Sequence, residues 1–414
     1  MTHKLIRPDY RPYLPDQYPA GMTAEAHTAE RIDRPRLQGL INLWAELSAD
    51  PFKGVTATGE VLPGLYSIRG ENAPTAAMVE AAGKLLSALS PEQRELGHFP
   101  IDSEMWQQWQ NTELLLEKHG LRLDGNGESV RGEVMNVIKA SLSEIGYERT
   151  LGVMRLNGFL GDLIGYSGVL GEWSFKFCLF GIPSTEEPWG WQLFGHHLCL
   201  SCFVFKDQMV LTPSFFGAEP AFADQGPHAG LSLFEDEERL GLELMRGLPP
   251  KKRDRAIVYQ SVIGGDLPEG RWHYADHLHM GGAHQDNRIV PYEGLKAGDM
   301  SKAEQQTLLD LTQAYLNILP AGPLAAKMGD VERHLGDTHF CWIGGMGEAD
   351  AFYYRIQSPV VFIEFDLHTG VFLTNKEPQK FHVHTIIRTP NGNDYGIDLL
   401  RRHYEVSGHH HDHD

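Results

Sequence analysis

The sequence predicts an α+β fold, in which a helical N-terminal layer packs on a mostly antiparallel β-sheet that carries a helical insertion. The hydrophobic period is helical across residues 31–168 and changes later to the alternation typical of β-strands. The strand-like segments form two groups that lie far apart in the chain. Because neither group alone would bury both of its faces, we expect both groups to belong to one sheet.

Helical elements are indicated by apolar spacing and by start signals. Apolar residues recur from Leu37 to Leu47 along one helical face. The segment Ser90-Pro91-Glu92-Gln93 predicts a helix start, because Ser caps free amides, Pro suits the first position and Gln completes a capping box. We expect Asp394 to cap a short final helix. The same spacing predicts helices within 104–118, 128–165, 231–247 and 301–334.

Strands are predicted wherever apolar and polar residues alternate. EWSFKFCLF at 172–180 has one apolar face, and WQLFGHHLCLSCFVF at 191–205 is predicted to be a single long strand. A turn and the strand MVLTPSFFG follow it. Short gaps between the later strands favour an antiparallel meander, and these strands are predicted at 338–343, 351–357, 359–366 and 381–388.

Composition limits the partners of the protein. The formal net charge of −19 over 414 residues argues against nucleic acid or an anionic membrane as the main partner. No apolar run reaches the roughly 18–20 residues that cross a bilayer. The polar N-terminus lacks the apolar core of a secretory signal, and four cysteines do not make a disulfide scaffold. We therefore expect a cytoplasmic protein that acts on a small molecule.

The chain divides into four regions by these patterns. Residues 1–30 are predicted to be an N-terminal arm and residues 31–168 a helical region. Residues 169–405 form a mixed, β-rich region that carries the candidate site. Residues 406–414 form a His-rich tail that we expect to be disordered and able to bind metal adventitiously.

Two adjacent histidines interrupt the apolar run FGHHLCLSC at 194–202. On a strand, His196 and His197 would point to opposite faces. His197 would share its face with Gly195 and other small residues, which leave room for a ligand. We therefore predict that His197 binds a metal and that His196 packs beside it. The alternative is that both histidines are structural, since buried histidine is common once it is hydrogen-bonded.

The strongest candidate site lies near the C-terminus. FHVHTIIR places His382 and His384 on one strand face, and PVVFIEFD places Glu364 and Asp366 on another. Neighbouring strands would join these faces into the ligand set of a catalytic zinc or non-haem iron site. We predict a divalent metal on His197, His384, Glu364 and Asp366, with zinc favoured and iron or manganese as alternatives. The competing interpretation is a salt-bridged sheet surface.

Four further residues are candidates for catalytic roles. His196 or His382 would act as an acid–base group or would orient a metal ligand. Tyr353 and Arg355 share one face of the segment FYYRI and would position a substrate. The alternative for Arg355 is an ion pair with the carboxylates of the next strand.

The segment DHLHMGGAHQDN at 276–287 is a rival metal site. Loops place ligands less firmly than strands do, and the glycines also fit a flexible surface loop or a lid over the site. Its candidate ligands are Asp276, His277, His279, His284 and Asp286.

Several motifs together resemble one protein family. WQLFGHHLCLS, LTPSFFGAEP, YYRIQSPVVFIEFD and HVHTIIRTPNGNDYGIDLLRRHYE occur in this order, and the resemblance spans about residues 35–405. The sequence is similar in these segments to the DUF3500 family of bacterial and fungal proteins of uncharacterised function. The residues that carry the similarity are His196, His197, Glu364, His384 and 393–396. The resemblance implies no activity.

The function predicted from these residues is that of a metal-dependent hydrolase or lyase acting on a small organic molecule. The alternatives are a metal-free enzyme that uses a His–carboxylate pair for acid–base catalysis, and a binding protein without catalysis. The sequence lacks the phosphate-loop, H-E-x-x-H, G-x-S-x-G and dinucleotide fingerprints, which argues against those enzyme classes.

Overall fold

A computed structural model describes residues 7–16, 18–19 and 21–407, so that most of the predicted tail lies outside the described residues. The helices are α1 (Ala24–Ala29), α2 (Pro35–Leu47), α3 (Thr75–Ala88), α4 (Pro91–Gly97), α5 (Glu128–Ser141), α6 (Glu144–Leu163), α7 (Glu235–Gly247), α8 (Pro250–Ala256), α9 (Lys302–Leu316), α10 (Ala321–Arg333) and α11 (Ile397–Ser407). The strands are β1 (His98–Phe99), β2 (Leu121–Arg122), β3 (Phe175–Phe180), β4 (Trp189–Gly195), β5 (Leu198–Phe205), β6 (Gln208–Ala218), β7 (Ile257–Tyr259), β8 (Leu295–Lys296), β9 (His339–Gly344), β10 (Phe352–Gln357), β11 (Phe362–His368) and β12 (Gln379–Arg388).

All twelve of these strands belong to one sheet, which confirms the predicted α+β class and the single sheet. The strand order is β1-β3-β4-β5-β6-β12-β11-β10-β9-β7, with β2 paired to β3 and β8 to β9. The sheet is mostly antiparallel, since β1–β3 and β7–β9 are the parallel pairs among the described strands. Strands β3–β6 form one meander and β9–β12 another, and the pairing of β6 with β12 joins them. This junction positions the candidate site.

The two faces of the sheet are covered differently. On one face, apolar residues of the strands pack with buried residues of α3, α5, α6, α7 and α9 into the largest core. On the other face, Phe215, Phe362 and Ile386 pack against residues of the connecting segments, among them Trp109 and Ala283. We call these the helix face and the loop face. Within the described residues, no helix is both long and apolar enough to cross a membrane.

The start signal at Ser90 is confirmed, because Ser90 and Gln93 form a reciprocal capping box at the start of α4. The prediction of a helix in 104–118 is wrong beyond the short turn Glu104–Gln107. Asp394 is not the cap of α11: its carboxylate accepts the backbone N–H of Thr389 and pairs with Arg388. The carboxylate of Asp394, which the local sequence predicted to cap a helix, thus pairs instead with buried Arg388 at the end of β12.

Candidate metal centre

Three histidines meet where the two halves of the sheet join. His197 lies between β4 and β5, and His382 and His384 lie on β12. The Nε2 atom of His382 is 3.2 Å from Nε2 of His197 and 3.2 Å from Nε2 of His384. One ring nitrogen of each residue lies within 4.8 Å of the other two. We call these residues the trihistidine cluster.

The proton of His382 is fixed on the nitrogen that points away from the cluster. Its Nδ1 lies 2.7 Å from the backbone oxygen of Thr369. A carbonyl oxygen only accepts, so Nδ1–H donates and Nε2 carries a lone pair. Orientation of one imidazole nitrogen by a backbone carbonyl is the usual support of a histidine that binds a metal through the other. His382 thus presents the lone pair of Nε2 to the cluster, and its expected role as an acid–base group or as an orienter of a metal ligand stays a prediction.

The prediction that 191–205 is one strand is wrong. Strands β4 and β5 form a hairpin, in which Gly195 pairs with Leu198 and the turn consists of His196 and His197. Both faces of these strands are buried, so the residues that flank the turn do not alternate in a way that would mark where one strand ends and the next begins. His196 and His197 therefore do not alternate across a strand, although among the described residues His197 does enter the cluster and His196 does not.

His197 occupies a strained backbone position. Its φ is +64°, a left-handed conformation that costs a residue other than glycine about 1–3 kcal/mol. The turn is held from both sides, since Gly217 N–H donates to the carbonyl of His197 at 2.8 Å and His197 N–H donates to Asn111 at 3.2 Å. A side chain at position 217 would approach the His197 Cδ2 to 2.9 Å and the His384 Cδ2 to 3.0 Å. Glycine at 217 therefore allows the two imidazoles to meet over β6.

Burial keeps the cluster neutral. His197 and His384 are only 4% and 6% exposed, and His382 is fully buried. Desolvation, followed by the neighbouring histidines, lowers the pKa of His197 and of His384 well below the ordinary value. Desolvation lowers the pKa of His382 to about 3. The neutral imidazole is the form that binds metals.

A second group of potential ligands lies beside the trihistidine cluster. One ligand atom from each of His277, Asp366 and His368 lies within 4.8 Å of the other two. We call these residues the Asp366 cluster. The prediction that the acidic face of β11 meets the histidine face of β12 is confirmed, because Asp366 lies directly opposite His384 in the register of the two strands.

Glu364, which we expected to bind metal, lies in neither cluster among the described residues. Its carboxylate accepts the backbone N–H groups of Met280 and Gly281 at 2.8–3.0 Å and the hydroxyl of Tyr353 at 2.6 Å. Burial opposes ionisation, but His279, Arg355 and these donors bring the pKa of Glu364 below its ordinary value. Glu364 thus fastens the segment 276–287 to the sheet.

The two residues that we expected to position substrate instead bond Glu364 and residues of a connecting segment. Tyr353 donates to Glu364, and the Arg355 guanidinium bonds Glu293 at 2.7 Å and the carbonyl of Pro291 at 3.2 Å. Arg355 therefore pairs with a loop carboxylate, whereas we had considered those of the next strand. The structure does not bring Tyr353 or Arg355 into either histidine cluster.

His196 supports the cluster from behind. Its Nδ1 bonds the side-chain oxygen of Asn157 at 2.7 Å, and its ring lies 3.9 Å from that of His197, measured between centroids. Burial, opposed by Glu113 and Glu219, lowers the pKa of His196 to about 4. The neutral ring therefore packs on a cluster residue and is itself held by a hydrogen bond.

The rival segment 276–287 contributes one residue to the two clusters. His277 belongs to the Asp366 cluster, whereas His279 and His284 belong to neither among the described residues.

Asp286 accepts the guanidinium of Arg388 and the hydroxyl of Tyr395. Asp276 is buried, and burial raises its pKa to about 7. The segment is also bonded through Gly281 and Gly282, whose carbonyls accept from Arg388 at 2.7 Å. These bonds contradict the alternative of a loosely held surface loop.

Two buried residues here, His368 and Glu219, were not predicted from the sequence. His368 follows Glu364 and Asp366 at the same two-residue spacing on β11, so extending the alternation by one step would have found it. Glu219 accepts the backbone N–H groups of residues 371–373 and lies 3.8 Å from Nδ1 of His382. No local pattern marks Glu219, because its partners are distant in sequence.

The fold and these two clusters define an α+β protein with a buried polyhistidine centre between a sheet and the segments that cover it. The chain belongs to the family described as "Protein of unknown function (DUF3500)", whose model matches residues 71–397, which confirms the resemblance. Every residue of both clusters lies inside this match. No curated protein and no solved structure matches the chain. Since the family description states no activity, function rests on the chemistry of the site.

Proposed function

We propose that this protein is a metal-dependent hydrolase or lyase of a small organic molecule, with a divalent metal ion on His197, His382 and His384. The observation that supports the proposal is the convergence of three neutral imidazoles, in which two Nε2–Nε2 distances are 3.2 Å. Zinc–nitrogen bonds of about 2.0–2.1 Å in a tetrahedral site place ligand nitrogens roughly 3.3–3.4 Å apart. These two distances are therefore already close to the spacing that zinc requires.

Lone pairs of neutral imidazoles at this distance repel one another unless a proton or a cation lies between them. The Nδ1 hydrogen of His382 is committed to Thr369, which leaves its Nε2 as an acceptor facing two other Nε2 atoms. A single cation satisfies all three nitrogens at once. This fit favours a metal over the alternative of metal-free acid–base catalysis.

Three protein ligands leave a further coordination position for water or for a substrate oxygen. A metal at this place would acidify that water or polarise a carbonyl. Other residues hold the three ligands in place. The carbonyl of Thr369 orients the ring of His382, and His196, itself bonded to Asn157, packs on the ring of His197. The small exposure of the cluster supports a small substrate.

The test is the metal content of the purified full-length chain, measured by mass spectrometry. The tail is first made inert by replacing its histidines with Gln, at His409, His410, His411 and His413. We expect at least one tightly bound zinc, iron or manganese ion per chain, and a loss of about one ion per chain in His382→Ala and in His384→Ala. His284→Ala is the matched control, because His284 is also buried but lies outside both clusters.

A folded protein without stoichiometric metal, even after incubation with Zn²⁺ or Mn²⁺, would contradict the proposal. It would support the metal-free enzyme or the binding protein instead. Catalytic activity that survives complete removal of metal by a chelator would identify a metal-free enzyme, and its absence would favour the binding protein.

A further inference from the structure

The Asp366 cluster contains three buried polar atoms that the protein leaves unused. Nε2 of His368, Oδ1 of Asp366 and Nδ1 of His277 have no hydrogen-bond partner within the described part of the chain. The residues are 2%, 0% and 7% exposed. Buried polar groups are nearly always bonded, and each one left unpaired costs about 1–3 kcal/mol. Three such atoms in one cluster therefore indicate a missing ligand.

The distance between Asp366 and His368 adds to this argument. Nε2 of His368 lies 3.1 Å from Oδ2 of Asp366, yet the two atoms do not meet the geometry of a hydrogen bond. The Oδ2 atom instead accepts the backbone N–H of Leu278 at 3.0 Å. Two ligand atoms that approach this closely without bonding are arranged as they would be around a common cation.

The third residue is brought to the cluster by a strained loop. His277 has a φ of +49°, and its backbone pairs with His273 through bonds of 2.9 and 2.7 Å. Its ring stacks on that of His368 with centroids 4.1 Å apart and an interplanar angle of 5°. Strain of this kind persists where surrounding contacts enforce it and is concentrated at binding sites. Both His277 and His197 therefore reach the centre from left-handed backbone positions.

The two clusters are in direct contact. The rings of His368 and His384 are 3.8 Å apart between centroids, and Asp366 is the cross-strand neighbour of His384. Ligands on adjacent positions of β11 and β12 thus face one shared space. Two-metal enzymes keep their ions about 3.5–4 Å apart, which requires ligand sets that touch in this way.

We propose that His277, Asp366 and His368 bind a second divalent transition-metal ion, so that the centre holds two metal ions. This proposal rests on the proposed function, because the first ion occupies the trihistidine cluster. Two imidazoles and one carboxylate suit zinc, iron or manganese. Because a carboxylate oxygen is a harder, less polarisable ligand than an imidazole nitrogen, this ligand set is harder than that of the trihistidine cluster. The class of substrate that fits two adjacent cations is one with an anionic or polarisable oxygen able to contact both.

The experiment counts metal ions in the full-length chain with the inert tail, loaded separately with Zn²⁺ and Mn²⁺ and then desalted. We expect about two ions per chain, and about one in Asp366→Asn, His277→Ala and His368→Gln. His284→Ala, in the same segment as His277, retains two. In the Mn²⁺ form, we expect the magnetic coupling of two ions in the electron paramagnetic resonance spectrum, and its loss in Asp366→Asn.

Circular dichroism and thermal unfolding establish that each variant is folded. His277→Ala removes a loop side chain and leaves the strands intact, so it tests the proposal even if the variants on β11 fail to fold. One ion per chain that His382→Ala removes and His277→Ala does not would overturn the second site and leave the proposed function standing. No ion in the folded chain would overturn both.

Discussion

Strands β11 and β12 have two faces of opposite character. Toward the helices they present Phe365, Val383 and Ile387, which belong to the largest apolar core. Toward the connecting segments they present apolar Phe362 and Ile386 together with polar residues such as Asp366 and His384, which are equally buried. Successive side chains on a strand point to opposite faces. Each of these two strands, of seven and ten residues, therefore contributes both to the apolar core and to the histidine clusters.

The faces also differ in what holds their cover in place. The helices are held mainly by apolar packing. The segment 276–287 also makes apolar contacts, through Met280 and Ala283, but it is held in addition by hydrogen bonds to charged side chains, chiefly those of Glu364 and Arg388. A rigid sheet then fixes the strand-borne ligands, and a bonded segment adds His277. The comparison predicts that changes on the helix face affect stability first and that changes on the loop face affect metal binding first.

The largest expected effect on stability is that of Phe365→Ala on the helix face. Phe365 is fully buried and stacks on Tyr354 at 5.2 Å between centroids, so its removal leaves a cavity. We expect the free energy of unfolding to fall by about 3–5 kcal/mol, measured by urea denaturation. Metal content per folded chain stays unchanged. Loss of metal without loss of stability would contradict the separation of the faces.

A smaller effect is expected for Glu364→Gln on the loop face. The amide would turn a donor toward the N–H groups of Met280 and Gly281, or toward the hydroxyl of Tyr353. We expect a loss of about 1–3 kcal/mol and faster proteolysis within 276–287. Glu243→Gln is the control, because Glu243 is exposed on α7 and its substitution should stay within about 0.5 kcal/mol. Equal proteolysis of both variants would show that Glu364 does not fasten the segment.

The sequence predicted the fold class and the shared faces of β11 and β12, because alternation is a local property. The identity of strand neighbours is not local, yet the meeting of the Glu364 and Asp366 face with the His382 and His384 face followed from the expected meander. His382 and His384 were found for the same reason. Tyr353 and Arg355 were placed on a strand as expected. Tyr353 bonds Glu364 on the next strand, whereas Arg355 bonds Glu293 on a connecting segment, whose path no local pattern specifies.

The hairpin at His196 and His197 could not be predicted from turn chemistry. Asn and Gly are the residues that mark turns with positive φ, whereas this turn has two histidines flanked by apolar residues. The local preference of His197 is overridden by tertiary contacts with Gly217 and Asn111. Departure from local preference is expected at a functional site, and here it places a cluster residue.

Substitution of two glycines sharpens the comparison. Gly217→Ala would force a Cβ against His197 and His384, so we expect a loss of about 1–3 kcal/mol and roughly 10–100-fold weaker metal binding. Gly83→Ala on α3 meets open space, and we expect a gain of about 0.5–1 kcal/mol with metal binding unchanged. Titration with Zn²⁺ and urea denaturation measure both. Unchanged metal affinity in Gly217→Ala would show that the two imidazoles do not need this close approach.

The smallest expected effect is that of Ser90→Ala at the start of α4. Ser90 accepts the backbone N–H of Gln93, and the side chain of Gln93 accepts the backbone N–H of Ser90 at 2.8 Å. Loss of the cap should lower the free energy of unfolding by about 1 kcal/mol. Gln93→Ala removes the reciprocal bond, so the double variant should lose less than the sum of the single losses. Because α4 contributes no ligand, metal content should be identical in all three variants. A fall in metal content would mean that helix stability is coupled to the centre, and the two faces would then have to be treated as one cooperative unit.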